Sequence, residues 1–311
     1  MKLALVLGAG GLVGIAHHAG VLAALEQELG LREDRIDLVV GTSAGSAIGA
    51  YLRAGYRPDQ LMARTADLAA AAPAALADGP LALVRHGIGS AYVLARASVR
   101  VPSLLSLSPF PSLRRAFPGG LVSMGDGMGI LERELPRAWP GRDLWLASYD
   151  LVSRRRVVLG RGHSPYTGLP EAVRASCAIP GVYLPVHVGG SILVDGGAWS
   201  LTNLDLAATA GATRVVCIAP MAYDPARPPD ARNRLAREVA TRLLSREVAR
   251  LRRQGADVLV LSPGPAEVKA QGLNLMRTSG LEEVAAVALA EAAAALRRSP
   301  QARAWRDELA A

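Results

Sequence analysis

Aromatic residues make up only 4 % of this 311-residue chain, with two phenylalanines in all. Its core must therefore be built from aliphatic side chains and alanine. Cysteine occurs twice, as Cys177 and Cys217, in apolar surroundings and without metal-site spacing. That excludes a disulfide framework and leaves two buried, reduced thiols as the simpler reading. No uninterrupted apolar run reaches the roughly 18 residues of a membrane-spanning helix. The opening MKLALVLGAGGLVGIA has the lysine-then-apolar look of a leader. Gly8, Gly10, Gly11 and Gly14 interrupt it, however, and belong to a motif. Histidine is also scarce: five in all and none after His187. An α/β-hydrolase triad runs Ser, acid, His with the histidine late, so that order is not available here.

Apolar residues are plentiful, at 50 %, and the mean hydropathy is +0.23. Disorder is excluded by that balance, and the length suits one large domain. The net charge is +8, nearly all of it from arginine, and the isoelectric point is about 10.1. Such a surface favours anionic partners, phospholipid headgroups and acidic substrates among them. Nucleic acid is not expected, because the longest basic run is Arg154 to Arg156 and no aromatics interleave with it.

The periodicities alternate. Apolar runs at 3–8 and 36–40 read as buried strands, and 15–29 and 43–53 read as helices. Strand, helix, strand, helix implies a parallel sheet flanked by helices. Further strands are expected at 143–149, 156–160, 192–194, 214–219 and 257–262. Residues 229–255 predict a basic amphipathic helix with Leu235, Val239, Leu243 and Leu251 near one face. A surface helix of the fold is the plain reading; a helix lying on a membrane is the alternative. Residues 281–298 predict a final alanine-rich helix. Residues 229–311 as a whole are expected to pack on the same domain as the rest. Residues 72–127, rich in Pro, Gly, Ser and Leu with no clean period, read as an inserted lid whose composition suits an acyl-binding wall.

VVGTSAGSAIGAYL, at 39–52, sets Ser43 between Gly41 and Gly45 just after a predicted strand and at the start of a predicted helix. A nucleophile on such a turn needs small residues two positions before and after it, because bulk there collides with strand or helix. The helix start also favours developing negative charge. A simple helix cap is the competing role for Ser43. A serine needs a base. His163 and His187 are alternative bases, with Asp143 or Asp150 as orienter, but neither lies in a motif, and His17 and His18 suit structural roles in the first helix. The better partner is Asp195, which ends the apolar strand of ILVDGGAW and precedes Gly196 and Gly197. A buried carboxylate needs a partner or a role; a plain D-G-G turn is the alternative. GAGGLVG, at 8–14, is a third strand-to-helix loop whose backbone amides can hold an anion. It fits the dinucleotide fingerprint poorly, since Gly8 and Gly10 match but Val13 takes the third place. Asp34 and Asp37 match a ribose ligand only by distance. An oxyanion site needs only the amides of Gly10 and Gly11.

The ordered set of GAGGLVG followed by IAHHAGVLAAL, GTSAGS at 41–46, ASCAIPGVYLPV at 175–186 and DGG at 195–197 resembles the patatin-like phospholipase family. The resemblance implies an α/β fold, a three-layer α/β/α sandwich around a mainly parallel sheet. It implies a serine lipid acyl hydrolase working through a Ser–Asp dyad, with a lipid ester as substrate and no cofactor or metal. By position, Ser43 would be the nucleophile, Asp195 the base, and the Gly10 and Gly11 amides the oxyanion hole. Gly8, Gly14, Gly41, Gly45, Gly196 and Gly197 would support the three turns. The chain departs from the pattern at Val13, where the family carries Arg or Lys, and at Ala9, which aligns with the family's first glycine. After DGG only Asn203 remains of the usual Asn- and Pro-bearing segment. A cytoplasmic place of work is expected, with peripheral contact to an anionic membrane. Two rival readings stay open: a catalytically weak binding protein of the same fold, and a nucleotide-binding α/β protein.

Overall fold

The computed structural model describes residues 2–65, 67, 124–162 and 165–310. The expected lid at 72–127 lies outside the described residues up to residue 123, as does His163.

Among the described residues five strands run parallel: β1 (Leu3–Leu7), β2 (Leu38–Thr42), β3 (Asp143–Asp150), β7 (Arg214–Ile218) and β8 (Asp257–Leu261). Three are antiparallel: β4 (Arg156–Leu159), β5 (Val186–Val188) and β6 (Ser191–Asp195). The sheet order is β5-β6-β3-β2-β1-β7-β8, with β4 on the other edge of β3. The result is a mixed α/β fold with a mostly parallel sheet and flanking helices.

Alternation along β1 creates the layers. Leu3, Leu5 and Leu7 face a core that includes Ile15 and Leu22 of α1 (Gly11–Leu29), Ile48 of α2 (Ala44–Arg53) and Ala288 and Leu296 of the late helix Leu281–Arg298. Ala4 and Val6 face the opposite core, with Leu244, Val248 and Leu251 of the helix Ala231–Arg253. Successive strand residues point to opposite faces, so one five-residue strand feeds both cores. The intervening helices are α3 (Pro58–Ala63), α4 (Gly125–Glu134), α5 (Leu169–Ser176) and α6 (Asp205–Thr209). Ala231–Arg253 is α7, Pro265–Gln271 is α8, Leu281–Arg298 is α9 and Pro300–Ala310 is α10.

Two expectations need correction. α1 begins at Gly11, not Ile15, so the glycine loop is part of the helix start. In α7 the buried stripe is Arg237, Ala240, Thr241, Leu244, Val248 and Leu251. Leu235, expected inside, is 79 % exposed, and Val239 is 40 % exposed. The cause is that two polar residues occupy the inner face with their hydrogen bonds satisfied. Arg237 Nη1 donates to the carbonyls of Pro220 (2.6 Å) and Ala222 (3.2 Å). Thr241 Oγ1 donates to the Arg237 carbonyl (3.0 Å) and accepts from Tyr223 N–H (3.1 Å).

Candidate active site

The two chemically interesting side chains meet because β3 acts as a ruler. β2 pairs with β3 up to Thr42 opposite Ala147. β6 takes over at the next rung, with Asp195 opposite Ser148. β4 overlaps both stretches, from Leu146 to Tyr149, and so must occupy the other edge. β2 thus ends where β6 begins, and Ser43 follows Thr42 directly beside Asp195.

Ser43 has φ 55° and ψ −122°, a left-handed conformation in a non-glycine residue. Such backbone costs on the order of 1–3 kcal/mol and persists only when the surroundings enforce it. The two glycines show what enforces it. A Cβ on Gly45 would lie 2.1 Å from the Leu7 carbonyl oxygen of β1, and one on Gly41 would lie 2.6 Å from Ser46 Cα of α2. β1, β2 and α2 therefore approach too closely for any side chain at either place. The Ser43 amide donates to Ser176 Oγ (3.1 Å), which in turn donates to the Ala147 carbonyl of β3 (2.7 Å). The Ser43 carbonyl accepts from Ser46 Oγ (2.6 Å) and from the Cys177 thiol (3.3 Å).

Asp195 is 3 % exposed. Its Oδ1 accepts from Gly197 N–H at 2.7 Å, and the Ser43 side chain lies close enough to favour its charged form. Burial raises its pKa to about 6; the nearby Ser43 hydroxyl and the Gly197 amide oppose that rise and do not cancel it. Gly196 is crowded against the Ala147 carbonyl, where a Cβ would lie at 2.3 Å.

The glycine loop lies at the same end of the sheet. Gly8 N–H donates to the Ile218 carbonyl (3.0 Å) and Ala9 N–H to the Leu201 carbonyl (2.8 Å). The amides of Gly10 and Gly11 find no acceptor among the described residues. They stand at the N-terminus of α1, where unpaired N–H groups and the helix dipole favour negative charge. Gly14, one turn on, faces Ala44, the residue after Ser43: a Cβ on Gly14 would lie 3.3 Å from the Ala44 methyl. Val13 packs with Leu281, Val284 and Ala285, so apolar contact fills the place where the resemblance calls for a cation.

The other early candidates have different partners. His17 bonds Glu267 (3.1 Å), and His18 bonds the Gly8 carbonyl (2.8 Å) with its pKa lowered by burial to about 3. His18 is therefore a neutral brace under the glycine loop. His187 is exposed on β5. Asp150 caps a turn, accepting from the amides of Val152, Ser153 and Ile192, and Asp143 is exposed. Ser176 and Cys177, which touch the Ser43 backbone, sit within ASCAIPG but carry no periodic or spacing signal that would mark them. Among the described residues no group of three or more His, Cys, Asp or Glu could hold a metal ion.

A mostly parallel α/β sheet carrying a strained serine elbow against a buried carboxylate defines the class. The patatin-like phospholipase family model matches residues 5–208, and the chain belongs to that family. Among solved structures it is similar to VipD from Legionella pneumophila, at 15 % identity and a TM-score of 0.41, over 99 % of this chain and 67 % of that one. It is similar to the type III effector protein ExoU, at 15 % identity and a TM-score of 0.37, over 98 % of this chain and 53 % of that one. It is also similar to ExoU of Pseudomonas aeruginosa, solved in complex with SpcU, at 18 % identity and a TM-score of 0.37, over 94 % and 52 % of the two chains. The chain thus spans about half the length of the ExoU chains it matches.

Proposed function

We propose that this chain is a serine acyl hydrolase that cleaves carboxylic esters of lipids, phospholipid or lysophospholipid, through a Ser43–Asp195 dyad. The supporting observation is that Ser43, on strained backbone at the end of β2, is set beside the buried Asp195 carboxyl group where β6 takes over the edge of β3. Asp195 takes the hydroxyl proton as Ser43 Oγ attacks the ester carbonyl carbon. The amides of Gly10 and Gly11 hold the resulting oxyanion; losing one donor of this kind costs about 10²–10³ in kcat. The tetrahedral adduct collapses, and the leaving alcohol takes the proton from Asp195. A water then gives its proton to Asp195 and attacks the acyl-enzyme, releasing the acid and restoring Ser43.

The basic, arginine-rich surface suits peripheral work at an anionic lipid surface. No helix among the described residues is long and apolar enough to cross a membrane. The test is labelling with a fluorophosphonate, which phosphonylates activated serines. Labelling at Ser43 alone, with Ser43→Ala and Asp195→Asn both losing hydrolysis while staying folded, is the expected result. A folded protein that takes no label would instead be the weak binding protein, and thermal stabilisation by a nucleotide without labelling would favour the glycine loop as a phosphate site. Esterase activity retained in either variant would end the dyad assignment.

A further inference from the structure

Asn203 is fully buried and holds a positive φ of 51°. Its own amide N–H is satisfied by Ser200 Oγ at 2.9 Å. Its side-chain Nδ2 reaches three oxygens: Ser200 carbonyl (2.7 Å), Thr42 Oγ1 (3.0 Å) and Gly196 carbonyl (3.4 Å). Thr42 is the residue before Ser43, and Gly196 is the residue after Asp195. One amide nitrogen therefore touches both residues that flank the reacting groups, the Thr42 side chain and the Gly196 backbone.

The orientation of that amide is not arbitrary. Arg156 Nη1 lies 3.1 Å from Asn203 Oδ1. A guanidinium can only donate, so the atom facing it must be the oxygen, and the NH₂ must face Thr42 and Gly196. Arg156 is in turn held by Asp205 through two contacts, 2.6 and 2.8 Å. Two-point pairing of this sort fixes the plane of the guanidinium as well as its position. The chain of order runs from Asp205 to Arg156, to the Asn203 amide, and from there to both strand ends.

Resting on the dyad reading above, we infer that Asn203 is a positioning residue that clasps the nucleophile strand to the Asp195 turn and sets the Ser43–Asp195 separation. It touches neither substrate nor reacting atoms. It acts on geometry, and proton transfer demands that the two oxygens stay within hydrogen-bond reach. A clasp of this type matters here because Ser43 sits in strained backbone that relaxes if one anchor is released.

Thr42 provides the discriminating experiment. Thr42→Ser keeps the oxygen that accepts from Asn203 and drops a methyl group; Thr42→Val keeps the shape and drops the oxygen. If residue 42 only fills space, Val is the milder change. If it is an anchor of the clasp, Ser is. The measurements are the fluorophosphonate labelling rate and the kcat and KM for a short soluble ester, with folding checked by thermal unfolding. Thr42→Val is expected to label about tenfold more slowly, the rate equivalent of one displaced hydrogen bond, with kcat falling and KM held. Thr42→Ser is expected within about twofold of the parent. Asn203→Asp replaces the donor by an acceptor facing two carbonyls and is expected to slow labelling by more than Thr42→Val. Should that variant not fold, the Thr42 pair still decides. Equal labelling of Ser and Val variants, both folded, overturns the clasp. Activity surviving in Ser43→Ala would instead overturn the dyad, and the two failures are told apart by which variant keeps its rate.

Discussion

A buried acid proposed as a catalytic base affects stability and catalysis in opposite directions. The pKa of Asp195 is raised by burial from 3.8 to about 6. In the unfolded chain the same group ionises near 4. Between these values the folded protein holds a proton that the unfolded chain has lost, so stability falls as pH rises through this window. Above pH 6 the buried charge costs on the order of 3 kcal/mol. Asp195→Asn is therefore expected to melt higher than the parent at pH 8 and to lose that advantage below about pH 5, while hydrolysing nothing. A lower melting temperature at pH 8 would contradict it. In the proposed dyad the active form needs the carboxylate, so kcat/KM for a soluble ester should fall tenfold per pH unit well below about pH 6, with a flat profile counting against Asp195 as base. Gly45 makes a second, purely steric point. Its absent Cβ would lie 2.1 Å from a β1 carbonyl, so Gly45→Ala is expected to cost about 1–3 kcal/mol or more in chemical denaturation. The turns that carry Ser43 and Asp195 were legible in the sequence because each closes an apolar strand with residue types that need a reason. Ser176 was not, because a serine that bonds backbone looks like any other serine until the chain is folded.

Among the elements, the strands were the most legible and one helix face the least. The apolar runs at 3–8, 143–149, 214–219 and 257–262 became β1, β3, β7 and β8 within a residue or two at either end. Strands buried on both faces are continuous apolar runs, and nothing competes with that signal. The short antiparallel β5 has only Val186 and Val188 to mark it, and its pairing with β6 is a long-range choice. The helix α7 misled for a different reason. Its leucines suggest one face, yet the fold buries Arg237 and Thr241 and leaves Leu235 outside. Hydropathy scores an arginine as surface, while two carbonyls at the end of β7 make it an interior residue. Substitutions separate the two faces. Leu235→Ser should change stability by less than about 0.5 kcal/mol. Leu251→Ala, at a fully buried site, should cost about 2–5 kcal/mol. Denaturant titration of both variants checks this, and the reverse ranking would mean that α7 is rotated on the sheet.

For the whole molecule, the sheet has a chemical polarity. The parallel strands β1 and β2 both end at the glycine loop and the serine elbow, so the amides, the hydroxyl and the carboxyl group gather at one end. For the amides and the hydroxyl that convergence follows from parallel pairing, since parallel neighbours deliver their carboxyl ends, and the helix N-termini that follow them, to the same edge; the carboxyl group arrives on antiparallel β6, whose last residue takes the next rung of β3 beyond the end of β2. Around this framework the net charge is +8. Charge of one sign acts over a distance set by salt: the Debye length is about 10 Å at 0.1 M and about 3 Å at 1 M. If the proposed work at an anionic lipid surface is correct, attraction should be long-ranged and screenable, whereas chemistry inside a buried site should not be. Co-sedimentation with phosphatidylcholine vesicles containing an anionic phospholipid is therefore expected at 0.1 M salt and should be largely lost at 1 M. Hydrolysis of a short soluble ester should change little between the two. Vesicle binding that is absent at low salt would remove the electrostatic contact, and binding that persists unchanged at 1 M would show that apolar surface, not arginine, holds the protein at the lipid. A loss of soluble-ester activity in parallel with vesicle release would place the effect of salt in the catalytic site itself.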